Sequence, residues 1–146
     1  ATSKYMNIAK AKSDGVEAAL NLKLHKRLEL RFNYTYTETE DETTGLALIR
    51  RPRNKAGVSV NWKPVDKLNL NAAANYVGVR RDQNFTTSTS IDLEDYTLVN
   101  LSGSYDITSN LQIFARVSNV FNESYEEVYG YGTLGVAAYG GLKVSF

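Results

Sequence analysis

Cysteine is absent from the 146 residues, and histidine occurs once. The first absence removes any disulfide framework, thiolate nucleophile or thiolate metal site. The second leaves a Ser-His-Asp or His-cluster centre without material, since His25 lies between Leu24 and Lys26 in an expected solvated turn. No catalytic residues, no metal site and no cofactor are therefore expected. An excess of one charge is also missing: 17 basic and 16 acidic residues give a formal net charge of +1, which provides no basic footprint for nucleic acid. Nor is there any run of about 18 apolar residues, so transmembrane helices are excluded. A hydrophobic content of 42% and a mean hydropathy of -0.36 would suit a soluble domain. That average misleads when apolar and polar residues alternate, because alternation dilutes the membrane signal.

Alternation is what the chain has in abundance. At its end Val136, Ala138, Gly140, Leu142, Val144 and Phe146 share one parity, which is the period of a strand. Leu28, Leu30, Phe32, Tyr34 and Tyr36 do the same against Glu29, Arg31, Asn33, Thr35 and Thr37. Val16 to Leu24, Ala56 to Trp62, Leu68 to Tyr76, Val99 to Ile107 and Leu111 to Val117 repeat the pattern. Phe114 interrupts one polar face, and Tyr139 lies on the opposite parity to Phe146, which requires either a lumenal tyrosine or a bulge. The expected fold is all-β: an antiparallel transmembrane β-barrel segment of about seven or eight strands, with lipid on one face and a polar lumen on the other. Leu22, Leu30, Val60, Leu70, Leu101 and Ile113 should meet lipid, and Arg31, Asn61, Asn71 and Arg116 the lumen.

The connections alternate in length. Residues 25–27, 64–67 and 108–110 read as short turns, whereas 39–49, 82–95 and 123–135 are long and polar. Outer-membrane barrels keep short turns in the periplasm and longer loops outside, which orients the segment. Pro64 at a strand end costs no ladder bond. Seven strands leave an odd count, and residues 4–8 offer only a short eighth strand, so a piece of a larger barrel is expected. The start at Ala1, with neither Met nor an apolar leader, suggests that an N-terminal part is missing.

Several side chains are candidates for more than scaffolding. Glu38, Glu40, Asp41 and Glu42 offer oxygens for Ca²⁺, although a solvated loop explains them as well. Arg50, Arg51 and Arg53 suit lipopolysaccharide phosphates or the acidic loop, and equally a structural rim role. Trp62, Tyr34, Tyr36, Tyr76 and Tyr105 read as interfacial girdles. Tyr129 and Tyr131 differ, because they fall in a long outer loop where amphipathic rings can touch a ligand.

The strings Arg50-Arg51-Pro52-Arg53-Asn54-Lys55, Tyr76 to Asp82, Tyr96 to Leu101, Asn119 to Tyr125 and Tyr129-Gly130-Tyr131 resemble the C-terminal barrel strands of TonB-dependent outer-membrane receptors. The tail is most similar to vitamin B12 (cobalamin) receptors, except that Val136 stands where the cobalamin-type tail carries Arg. The resemblance implies that residues 1–146 are the C-terminal part of a 22-stranded barrel whose plug domain and TonB box are absent. It implies a receptor in the outer membrane of a Gram-negative bacterium that imports cobalamin or a related corrinoid with energy from TonB, reached through the missing N-terminal part. A siderophore receptor of the same family is the alternative ligand reading. Phe146 resembles the family's membrane-assembly signal, and the family's calcium loops lie outside the matched segment. Two rivals lie outside the family. One is a small self-contained outer-membrane barrel with a structural or adhesion role. The other is a soluble barrel around an apolar ligand, which would have to expel Glu17, Lys23, Glu29, Arg31, Lys55, Arg116 and Lys143 from its lumen.

Overall fold

A computed structural model describes residues 10–146, which form strands, turns and irregular loops without a helix. The possible strand at residues 4–8 lies outside the described residues. The strands are β1 (Ala11–His25), β2 (Leu28–Asp41), β3 (Asn54–Val65), β4 (Leu68–Val77), β5 (Arg80–Asn84), β6 (Thr89–Leu93), β7 (Tyr96–Asp106), β8 (Leu111–Ser118) and β9 (Ala137–Val144). Seven of them form one antiparallel sheet in the order β1-β2-β3-β4-β7-β8-β9, while β5 and β6 make a separate hairpin. Among the described residues the sheet does not close: the outer edges of β1 and β9 carry no partner.

Register turns the sequence alternation into two continuous faces. Leu22 pairs with Leu30, and the row runs on through Val60, Ala72, Leu101, Val117 and Ala138. The next row is polar throughout: Lys23, Glu29, Asn61, Asn71, Ser102, Arg116 and Tyr139. A slip of one residue would push charge into the apolar row from β1, β2 or β8 and Asn or Ser from β4 or β7, which is why the register is well specified. Asn71 donates to Asn61 at 2.9 Å and so satisfies a cross-strand pair on the polar face.

Tyr139 lies directly opposite Arg116 with no irregularity between β8 and β9, so it faces the lumen and no bulge is needed. Phe114 interrupts the polar face because its ring lies over Gly141, where a Cβ would come within 2.7 Å of the ring. The register does shift between Trp62 and Val65, which accommodates Pro64 where no ladder bond is lost.

Two expectations need correction. Residues 82–95 are not a plain loop, because the β5–β6 hairpin occupies them, with Arg80 opposite Leu93 and Asp82 opposite Ile91. The last strand stops at Val144 and does not reach Phe146: its partner β8 begins at Leu111, so beyond the Leu111–Val144 pair Ser145 meets only Asn110 of the short turn, through two hydrogen bonds of 2.9 Å. Phe146 is fully exposed beyond the strand.

Burial is concentrated at one end. Leu93, Tyr96, Arg80, Asp82 and Asn119 are the buried apolar and polar side chains, and all belong to the long connections or the strand ends beside them. The short turns lie at the opposite end.

Candidate functional site

Three long connections converge on Asp82, near the foot of the β5–β6 hairpin. Its Oδ1 accepts from Arg50 Nε at 3.0 Å and from the amide of Gln83 at 2.8 Å. Its Oδ2 accepts from the amide of Tyr129 at 2.8 Å. Burial alone would raise the carboxyl's pKa, but the Tyr129 and Gln83 amides and the Arg50 guanidinium outweigh it, leaving the group below its ordinary value. Asp82 is therefore ionised, buried and satisfied.

Arg50 is held from its backbone as well. Its φ of 59° is in the left-handed region, which non-glycine residues occupy at some cost, and its amide donates to the Arg81 carbonyl. The guanidinium lies 5.6 Å from the Phe85 ring centroid, in cation–π range. Only Nε is engaged; among the described residues the two terminal nitrogens make no hydrogen bond. Arg50 also lines an open groove of about 790 Å³, together with Gln83, Asn84, Phe85, Thr86 and residues 128–131. Tyr129 and Tyr131 thus share one groove, with Tyr131 71% exposed.

A second cluster braces the groove from behind. Arg80 donates to the carbonyls of Glu94 and Glu126, and its guanidinium stands 5.1 Å from the Tyr96 ring centroid. Tyr96 in turn packs on Tyr125 with centroids 4.3 Å apart, which ties the start of β7 to the β8–β9 connection. That connection opens with a clip at Asn119, at φ 52°. The Asn119 amide donates to the Asn100 side chain at 3.0 Å, and its own side chain both donates to and accepts from the Glu123 backbone at 2.8 Å. Asn122, at φ 53°, accepts from the Val136 amide at 2.9 Å and closes the loop at its far end.

Other candidates are placed elsewhere. Arg53 pairs with Glu38 at 3.3 Å and Lys10 with Glu42 at 2.6 Å, while Asp41 accepts from the Thr43 amide. Part of the basic and acidic clusters is thereby spent within the rim. Among the described residues no group of three or more His, Cys, Asp or Glu side chains is placed to hold a metal. His25 accepts from the Arg27 amide at 3.2 Å, in its turn. Trp62 and Tyr105 lie near the short-turn ends of β3 and β7, Tyr76 near the outer end of β4, and Tyr34 and Tyr36 midway along β2, level with the outer end of β3. Sequence reasoning did not single out Asp82, Arg80, Phe85 or Asn119. All four fall inside or beside the quoted strings, but their roles depend on partners remote in the chain.

Residues 1–120 match the family model described as TonB dependent receptor-like, beta-barrel. The chain belongs to the TonB-dependent receptor β-barrel family. Solved structures similar to this receptor segment include Pseudomonas aeruginosa FpvA bound to heterologous pyoverdines, at 24% identity and a TM-score of 0.80 over 93% of the chain. The ferric enterobactin receptor PfeA of P. aeruginosa, in a mutant form, gives 25% identity and 0.77 over 96%. The ferric-catecholate import receptor Fiu of E. coli K12 gives 17% and 0.79 over 93%. The segment spans about a fifth of each: 20% of FpvA, 23% of PfeA and 21% of Fiu.

Family membership makes the segment part of a Gram-negative outer-membrane barrel, and the family consists of transport receptors rather than enzymes. These structures are siderophore receptors and give no support to the cobalamin expectation. The reason is visible in the tail: Asn119-Val120-Phe121-Asn122 is a loop clip built on two left-handed asparagines, which serves the barrel whatever the ligand.

Proposed function

We propose that the segment belongs to a receptor that binds a ferric siderophore at its outer rim and imports it with energy supplied by TonB. The observation that carries this reading is the groove, which Arg50 lines together with Phe85, Tyr129 and Tyr131 while its terminal nitrogens make no hydrogen bond among the described residues. A guanidinium beside exposed rings suits an anionic chelate with planar groups, by charge-assisted hydrogen bonds and by stacking. The ligands named for FpvA, PfeA and Fiu favour the same class. A corrinoid is the weaker reading, resting only on tail strings that have a structural use. Tyr129 and Tyr131 are the proposed ligand contacts, and Phe146 remains the proposed assembly signal.

The test is equilibrium binding to cells carrying the complete receptor, normalised to surface receptor, with ferric enterobactin, ferric pyoverdine and cyanocobalamin as probes. One ferric siderophore should bind, its uptake should require TonB, and Tyr131→Ala should weaken binding by about tenfold, equivalent to about 1.4 kcal/mol. Binding of cyanocobalamin alone would overturn the siderophore reading. Removal of Phe146 should lower the amount of receptor in the membrane without changing affinity per receptor.

A further inference from the structure

Asp82 has no exposed surface, although it sits on a hairpin that rises from the rim of an otherwise open sheet. Its partners come from far along the chain, 32 residues away at Arg50 and 47 residues away at Tyr129. One carboxylate therefore joins the β2–β3 connection, the β5–β6 hairpin and the β8–β9 connection.

What it joins matters for the groove. Arg50 is bonded through Nε, so its planar head is fixed in direction while its terminal nitrogens stay available. Tyr129 is bonded through its backbone amide, so its ring and the following Gly130-Tyr131 are carried to the other side of the same space. Gly130 has φ 78°, and no side chain packs where its Cβ would be, so the turn is closed locally by the Tyr131 amide donating to the Val128 carbonyl at 3.0 Å. The anchor is the Asp82 bond, assisted by the Gly130 amide donating to Glu126 at 3.3 Å.

We propose that Asp82 is the positioning residue of the outer groove, setting the Arg50 guanidinium and the Tyr129–Tyr131 segment against each other so that one ligand meets both. The proposal rests on the reading of the groove as the binding site. A carboxylate is suited to this because both of its oxygens accept, and each is used. An asparagine of nearly the same shape offers one accepting oxygen and one donating nitrogen, so it must oppose either Arg50 or the Tyr129 amide with a donor. Asp82→Asn therefore separates the chemistry of the clasp from its volume.

The experiment uses the complete receptor and reads two quantities. Amide hydrogen exchange is followed in peptides covering residues 46–53 and 125–135, with peptides from β7 and β8 as internal controls. In Asp82→Asn, exchange in both loop peptides should rise by at least about tenfold while the strand controls stay unchanged. Unchanged loop exchange would overturn the proposal, whatever the ligand. Asp82→Ser, which removes one accepting oxygen and adds no bulk, replaces the asparagine variant if that one fails to reach the membrane, with the same expectation.

Binding of ferric enterobactin and ferric pyoverdine is then measured in a double-mutant cycle. Asp82→Asn should weaken the bound probe by about tenfold in the native background, but by no more than about twofold in Arg50→Ala/Tyr129→Ala/Tyr131→Ala, because that variant already lacks the side chains that Asp82 sets against each other. Full additivity would show a general loosening and sink the positioning role. If the native receptor binds neither probe, the siderophore reading fails, and the exchange measurement alone decides for or against Asp82.

Discussion

The guanidinium of Arg116 lies over the ring of Tyr139, 4.4 Å from its centroid, across the β8–β9 pair. The contact puts the aromatic ring on the charged face of the sheet and fixes the register of the last strand. Spin labels placed singly in the complete receptor should therefore report two environments. Labels at Leu101 and Val117 should be accessible to oxygen from lipid, and labels at Asn71 and Arg116 to a water-soluble quencher. An oxygen-accessible label at Arg116 would mean that the faces are reversed.

Leu70 reaches across its strand to cover Gly103, with Cδ2 only 3.0 Å from where a Gly103 Cβ would stand, and it pairs with Trp62 on the other side. Leu101→Arg, on the same apolar face midway along β7, should cost about 2–4 kcal/mol. Ser102→Arg, one residue along and on the lumenal face, should cost less than about 1 kcal/mol because its charge stays in a polar surrounding. Reversible denaturant unfolding in lipid compares the two, and equal costs would contradict the assigned faces.

Asn119 combines a left-handed backbone with an amide bonded to Asn100 and a side chain bonded to Glu123 and Leu134, at a buried position. Asn119→Ala leaves the Glu123 amide and carbonyl without the side chain that serves them, which should cost about 2–3 kcal/mol locally. Asn119→Gly loses the same side-chain bonds but tolerates the backbone, and should recover about 1 kcal/mol of that loss. Exchange protection across residues 119–136 distinguishes the two variants; identical protection would assign no role to the left-handed conformation.

The clasp at Asp82 also sets a pH dependence. Its carboxyl is held below the ordinary aspartate value of 3.8, with burial opposing and the Tyr129, Gln83 and Arg50 donors prevailing. A depressed folded pKa gives stability that is fully present above the ordinary value and is lost as pH falls through the folded one. Loop protection at residues 125–135, corrected for intrinsic exchange, should stay level from about pH 8 to about pH 5 and decline only in stronger acid. In Asp82→Asn that acid-dependent decline should be absent. A loss near neutral pH in the native receptor would point to a different group.

The wall of the segment was legible because lipid and lumen impose a period of two on every strand that crosses between them. Leu28, Leu30, Phe32, Tyr34 and Tyr36 announce β2 without help from any neighbour. The β5–β6 hairpin stands clear of that constraint: Arg80-Arg81-Asp82-Gln83-Asn84 has no apolar face, its pairing rests on backbone bonds and on Arg81 donating to Ser90, and Arg80 and Asp82 tie it to the neighbouring connections. The site was half legible for the same reason. Tyr129 and Tyr131 could be chosen by their type and their loop, but the importance of Asp82 comes from partners brought together only by the folded rim. At the other end, the alternation of β9 ran on through Phe146 in sequence, whereas the strand it pairs with begins at Leu111 and leaves Phe146 without a partner among the described residues.

The hairpin divides sharply along its length. Its foot is buried through Arg80, Asp82 and Leu93, while Phe85 near the tip is 66% exposed and residues 86–90 are open to solvent. Phe85 and Thr86 line the groove, whereas residues 87–90 beyond them do not, and any change at the foot disturbs three connections together. A receptor built this way has a surface whose outermost letters, residues 87–90, can change while the joinery beneath them stays the same. Change in what the cell exterior encounters and permanence in how the rim is assembled are thus separated by a few residues of one ribbon.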